Sequence, residues 1–259
     1  MANEEHVALL RKGVAIWNEW RRSTPESKPD LSRVDLNQAD LIGANLCQAD
    51  LSYANLSHAD LRRADLSHAD LTDADLDRAN LGDANLFQAV LRAAKLENAR
   101  LGSANLQAAD LSKANLAGAE LVGANLLWAK LGGANLRKTM LAATNFTEAE
   151  VGAADLRKAF LFNTTFGNVD FSETIGLAEC VHTGPSTIDF RTLVWGFSCQ
   201  VVIFGFLAIL CSERECRSSS RRLRSGSRSA RKRSRDRNAS QSLAALPLSD
   251  ACVSQRLDA

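Results

Sequence analysis

Residues 31–75 read LSRVD LNQAD LIGAN LCQAD LSYAN LSHAD LRRAD LSHAD LTDAD. A large apolar residue stands at every fifth place from Leu31 to Phe171, 29 places without a gap. Leu fills all of them except Phe146, Val151, Phe166 and Phe171. Two residues before each stands a small residue, nearly always Ala, and the residue immediately before is mostly Asp or Asn. A fixed period outranks every other sequence signal, because it defines the architecture before any local propensity does.

Period five fits neither regular structure. On an α-helix five residues advance the face by about 140°, so the Leu set leaves no core stripe. On a straight strand an odd step flips each Leu to the opposite face. Yet the Ala and Leu of one unit, two apart, do share a face of an extended segment. A short extended piece with both pointing inward, then a corner, repeated, satisfies both facts. Four corners close a coil of twenty residues, and coils stack by β-type hydrogen bonds at about 4.8 Å. The 29 units then make about seven coils, a rod on the order of 34 Å long. Gly43, Gly82, Gly102, Gly118, Gly123, Gly132, Gly133, Gly152 and Gly167 all fall one or two places after the central residue. Those are the corner places, where positive φ costs Gly least. No Pro lies between Asp30 and Gly184, so no ladder donor is lost.

These units resemble the A(D/N)LXX motif of the pentapeptide-repeat family over residues 31–171. The resemblance implies an all-β solenoid, a right-handed quadrilateral β-helix, over residues 31–175. Fold alone does not name a function.

Charge is unevenly spread. Residues 31–85 carry ten acids and four bases, residues 86–171 seven acids and nine bases, and residues 212–237 eleven bases and three acids. The near-neutral whole thus combines an acidic half-rod with a basic tail. Of six Cys, only Cys47 and Cys180 precede residue 190, without framework spacing, which points to a reducing, cytoplasmic setting. The start, MANEEHVALLRKG, has no basic region followed by an apolar run and does not read as a secretory signal.

Residues 1–24 read as one amphipathic capping helix over 3–22, with Asn3 as its cap, Glu4 and Glu5 in the first turn and Val7, Leu10, Val14 and Trp17 at helical spacing. Pro25 and Pro29 end it. Its task is to cover the first coil, which otherwise shows Leu residues and an unpaired edge to water. A partner-binding or membrane-surface helix is the alternative. Near the other end Phe166 and Phe171 take inward slots, while Phe160 and Phe162 face outward. The family often dimerises through its terminal coils, so exposed aromatics there imply a homodimer through the C-terminal coils, with contact to the following segment as the equal alternative.

Residues 176–193, GLAECVHTGPSTIDFRTL, break the register. They resemble a connector that follows the repeats in larger bacterial, especially cyanobacterial, members of the family, through Gly176, Leu177, Cys180, His182, Gly184, Pro185, Ser186, Ile188, Asp189, Thr192 and Leu193. Some of those continue into a toll/interleukin-receptor type domain, which implies part of a larger signalling protein. Residues 193–211 carry no charge, a length suited to a transmembrane helix. An Arg/Ser-rich tail, expected to be irregular, fills 212–259. The positive-inside rule puts that tail in the cytoplasm and the rod outside, without a signal to export it. Membrane anchoring with a cytosolic rod and a tail read in a shifted frame are the two readings preferred over it.

No catalytic constellation is expected. His58 and His68 are ten apart, two corners of a twenty-residue coil, and cannot share an ion. Cys180 and His182 alone do not make a metal site. No Gly-rich phosphate loop and no Ser/His/acid spacing appears. A regular rod also lacks a natural cleft. The reading is therefore not an enzyme and without a cofactor or metal: a non-catalytic scaffold whose faces bind a protein partner, with no direct nucleic-acid binding by the rod. The alternative is a DNA mimic, since the resemblance extends to quinolone-resistance members, whose acidic rods occupy the DNA groove of gyrase. Its candidate acidic face is Asp40 with Asp60 and Asp50 with Asp70, each pair twenty apart, although Arg62, Arg63 and Arg78 interrupt the acid. The scaffold's candidate surface is Phe87, Leu127 and Trp128: Phe87 and Leu127 fall in one column with Gln107 and Thr147, and Trp128 in the next with His68, Gln88 and Ala108. In this register Leu86 and Leu126 are buried while Trp128 faces solvent.

Overall fold

The computed structural model describes residues 2–189 and Thr192. Two helices open the chain, α1 (Glu4–Arg11) and α2 (Val14–Ser23). The single helix expected over 3–22 is thus broken at Gly13, whose φ of 113° leaves the helical region and is tolerated because Gly has no Cβ. The expected cap does form: the Asn3 side chain accepts from the N–H groups of Glu5 and His6.

From Asp30 onward the chain is a stack of coils. Single-residue parallel bridges join residue i to i+20, beginning with Asp30↔Asp50, Asp35↔Asn55, Asp40↔Asp60 and Asn45↔Asp65 and repeating to Asp155↔Ile175, with the column of Asp30 ending at Lys130↔Glu150. Four ladders per coil give four sides. They are named here sides A, B, C and D for the columns that begin at Asp30, Asp35, Asp40 and Asn45.

One unit shows why the sequence folds this way, because all five of its N–H groups can be followed. The N–H of Asp50 donates to Pro29 O, on the preceding turn of chain, and that of Leu51 to Asp70 O in the next coil. Tyr53 N–H donates to Thr72 O in the same next coil, and Ala54 N–H closes a turn onto Leu51 O. The remaining one, Ser52 N–H, lies on the corner and is taken by the Asp50 carboxylate at 2.9 Å. No donor is orphaned, which is the condition for stacking backbone so densely. The same five bonds recur at Asn55 to Ala59.

Each corner has its second residue at positive φ, from Arg33 at 60° to Asn168 at 51°. With a bond from the fourth residue to the first, this is the sign pattern of a type II turn. Gly takes this place only at Gly43, Gly118, Gly123 and Gly133 within the coils; at 24 others it is a side-chain-bearing residue. The glycines one place earlier, such as Gly82 and Gly102, are not at positive φ. Only half of the corner argument from glycine therefore holds, and the ladder bonds hold left-handed backbone in residues that disfavour it by about 1–2 kcal/mol each.

Inside, Ala and Leu alternate along the stack, nearly all with no exposed surface. Toward the end the small slot becomes Thr139, Thr144 and Thr164, each fully buried with its hydroxyl donating to a backbone carbonyl. Phe146 and Phe166 stack with centroids 5.3 Å apart, and Phe171 meets Phe166 edge-on. Phe166 and Phe171 are buried and Phe160 and Phe162 exposed, as the register requires.

The connector continues the stack instead of leaving it. Strand β1 (Phe160–Leu161) pairs in parallel with β3 (Val181–His182), and β2 (Thr165–Phe166) with β4 (Thr187–Ile188). The step lengthens from 20 to 21 and then 22 residues. A 3-10 turn, Leu177–Glu179, takes up the first extra residue. It starts at Gly176, φ 76°, where an added Cβ would lie 2.0 Å from Arg157 Cγ. Residues 193–211 and the 212–259 tail lie outside the described residues. Among those described, no helix is long and apolar enough to cross a membrane.

Candidate interaction surface

The first coil has no coil before it to supply donors and acceptors along its upper edge. The helices supply them on two sides. At side D, Trp17 Nε1 donates to Asn45 O at 2.8 Å, where the Leu N–H of a preceding coil would donate. Arg21 Nη2 donates to Cys47 O, in the place of the corner N–H, and Asn18 Oδ1 accepts from Asn45 N–H. At side A, Asn3 N–H donates to Asp30 O and His6 Nδ1 accepts from Asp30 N–H. Trp17 is wholly buried against the first Leu layer. The helices thus end the stack with the bonds and the apolar contact of one more coil.

The outer faces hold every candidate residue. Leu86 and Leu126 have no exposed surface, whereas Trp128 is 55% exposed, so the register stands. Phe87 and Leu127 share one column, their carbonyls accepting from His68 and Ala108 in the preceding coils. Both are half-buried, and the Phe87 ring meets His68 edge-on with centroids 5.5 Å apart. Only Trp128 of the three counts as exposed.

The four aspartates do not form one face. Asp40 bridges Asp60 on side C and Asp50 bridges Asp70 on side A, two corners away. Their carboxylates are also engaged: Asp40, Asp50, Asp60 and Asp70 each accept from the N–H two residues on. Arg62 grips both oxygens of Asp60, and this hydrogen bonding holds that carboxyl below the usual range. The Asx bond was missed in sequence, where Asp and Asn were read only as outward-pointing. The signal was present in the strict D/N-L pairing, since an oxygen one residue before the Leu can reach the corner N–H. Asn side chains add rungs between coils, as from Asn85 to Asp65 and from Asn105 to Asn85.

Among the described residues, no three His, Cys, Asp or Glu converge to hold a metal. Cys180 is largely buried, with Sγ directed at Leu156 O, and burial pushes its thiol up to about 12. It is therefore protonated and a poor nucleophile at neutral pH.

A second group of outward residues has no counterpart in the sequence reading beyond Phe160 and Phe162. Met140, Phe160 and Val181 follow one another down the side C ladder. Val122 and Phe162 occupy the corner column beside it, two coils apart, with Ala142 between them. All five are between 40% and 45% exposed. Residues twenty apart would have revealed all but Val181, whose place depends on the 21-residue step.

The pentapeptide-repeat family model matches in eight copies, over residues 30–67, 64–102 and 99–137. The chain belongs to the pentapeptide-repeat family. No curated protein matches it. Among solved pentapeptide-repeat structures, HetL, involved in heterocyst differentiation regulation in the cyanobacterium Nostoc sp. strain PCC 7120, is 24% identical over 63% of this chain and 91% of its own, with a TM-score of 0.32. A pentapeptide repeat protein of the Arabidopsis thaliana thylakoid lumen is 31% identical over 42% of this chain and 68% of its own, with a TM-score of 0.28. QnrB1, a plasmid-mediated fluoroquinolone resistance protein, is 16% identical over 66% of this chain and 95% of its own, with a TM-score of 0.39. Membership rests on the repeat copies and not on these superpositions.

Proposed function

We propose that this chain is a non-catalytic scaffold, a right-handed quadrilateral β-helix whose flat outer faces bind a protein partner. The observation that carries the reading is the completeness of the interior: Leu and Ala fill it without exposed surface, and the backbone donors are matched between coils. What varies along the stack is the outside, and there apolar groups such as Trp128 stand exposed in a structure that needs none of them for its core. Among the described residues Cys47 and Cys180 are unpaired thiols, which supports a reducing cytoplasm. A photo-crosslinker at position 128 of the full chain is expected to trap a partner that one at position 73, on another side, does not. Equal labelling at both positions, or at neither, would remove the Trp128 face from the proposal.

DNA mimicry toward a type II topoisomerase is supported by one observation, the successive stacking of Asp30, Asp50 and Asp70 on side A. A gyrase supercoiling assay decides it: no inhibition at micromolar protein ends this second reading.

A further inference from the structure

We infer that the distal part of side C is a docking face for an amphipathic helix with acidic residues along one flank. This rests on the scaffold reading above and names the partner's chemistry. Val122, Met140, Phe160, Phe162 and Val181 form a continuous apolar strip there. Ala142 and Gly123 keep its middle flat. Exposed apolar residues gathered in this way mark contact sites, while scattered ones do not.

One border of the strip is basic at its two middle rungs, while Glu179 stands two residues before Val181 at the last. Lys138 stands two residues before Met140 and Lys158 two before Phe160, so the two ammonium groups flank the same two rungs. Both lysines are exposed, and neither enters an ion pair among the described residues. An apolar strip with a cationic border complements apolar side chains bordered by carboxylates.

The backbone decides between a strand and a helix as occupant. Across this face the N–H groups of Met140, Leu141, Ala143, Phe160 and Val181 already donate to neighbouring coils. These rungs leave no free donor along the length of the strip, and the one ladder edge, beyond β3, lies at the end of the stack, so an occupant lying along the strip must bring its own backbone bonds, as a helix does. From Val122 to Val181 is three coil steps, about 14 Å. That length matches about nine residues of helix, or two and a half turns.

Charge argues against a second copy. Antiparallel pairing of two side C faces sets Lys138 against Lys158 of the other copy. Parallel pairing sets the Asp40 and Asp60 column against its own duplicate. Like charges across an interface oppose association. A bilayer suits the strip poorly as well, because all five apolar residues are more than half buried and none projects as an anchor would.

Fluorescence anisotropy on the full chain tests this with three labelled helical peptides: Leu on one face with Glu on the flank, the same peptide with Lys for Glu, and one with Ser for Leu. The Leu/Glu peptide is expected to bind at least about tenfold tighter than either other, roughly 1.4 kcal/mol. The double substitution Lys138→Glu with Lys158→Glu should reverse the preference to the Leu/Lys peptide, and Phe160→Ser should weaken Leu/Glu binding about tenfold. Asp73→Ser, on another side, should leave it unchanged. The lysines are exposed, so the charge test survives even if Phe160→Ser perturbs folding. Equal affinity for the three peptides, or a preference untouched by charge reversal, overturns the inference. So does a sedimenting dimer that Phe160→Ser dissolves, or flotation with phosphatidylserine/phosphatidylcholine vesicles that Phe160→Ser abolishes; these assign the strip to a second copy or to a membrane. Partner crosslinking at position 128 is read separately, so the docking face can fail while the scaffold stands.

Discussion

The coils from Asp30 to Asn85 and those from Leu86 to Ile175 share one interior and differ on the surface. In the first part the residue before each Leu is always Asp or Asn, and its side-chain oxygen takes the corner N–H. In the second that residue becomes Val90, Lys95, Arg100, Glu120, Lys130, Met140, Glu150, Phe160 and Thr165 at nine places. The ladder persists there: Arg100 still bridges Asn80 and Glu120. The corner bond is therefore dispensable, even in the three consecutive units of Val90, Lys95 and Arg100, whereas the inward slot stays apolar throughout. Giving it up frees the position for charge or apolar contact, and Met140 and Phe160 of the side C strip stand at such places.

If the two parts share one core, Leu66→Ala and Leu126→Ala should each cost about 2–5 kcal/mol in urea unfolding, while Trp128→Ala costs under about 0.5 kcal/mol. A tolerant Leu126 with a sensitive Leu66 would break the equivalence. Glycine separates the two corner places more finely. Gly118→Ala puts a Cβ at φ +71°, 2.8 Å from Asn98 Oδ1, and should destabilise by about 1–2 kcal/mol. Gly102→Ala meets nothing nearer than 3.8 Å at ordinary φ, and should stabilise by about 0.4–1 kcal/mol through the unfolded chain. Thermal melts of the pair should shift in opposite directions.

Restoring the missing oxygen sharpens the comparison. Val90→Asn gives the Arg92 N–H an acceptor without adding charge between Asp70 and Asp110, and should stabilise by about 0.5–1 kcal/mol. A loss would show that Val90 was retained for packing. The smallest effect concerns pH. Arg157 hydrogen-bonds both oxygens of Asp155 and is the main reason this carboxyl lies below its ordinary value. A depressed folded pKa gives stability that is present above the unfolded value, about 3.9, and is lost as pH falls through the folded one. The urea midpoints of the native chain and Arg157→Ala should therefore differ at pH 7 and converge as the pH falls below about 4.

The period-five Leu made the coil, its length of twenty and the inward or outward sense of each Phe legible, because a one-residue error would bury charge at every unit. The bend at Gly13 was not legible, since Leu10 and Trp17 keep helical spacing across it. The continuation through β3 and β4 was hidden because Val181 and Ile188 return 21 and 22 residues after their partners, so a search at twenty misses both. The positive φ at 24 side-chain-bearing corners was equally invisible, as residues from Ala93 to Trp128 occupy those places and none advertises the conformation. Of the surface, Phe160 and Phe162 could be assigned from register, whereas the role of Lys138 and Lys158 depends on which column lies beside which.

Because four corners close each coil, residue number doubles as an angle. An insertion of twenty residues between Asn85 and Leu86 would lengthen the stack and leave every face aligned. An insertion of five would keep each Leu in the core yet turn everything beyond it by a quarter revolution. The strip from Met140 to Val181 would then point at right angles to the Asp40 and Asp60 column with which it now shares a side. The spacing of the repeat thus acts as a rotary dial, on which whole coils set distance and single units set direction.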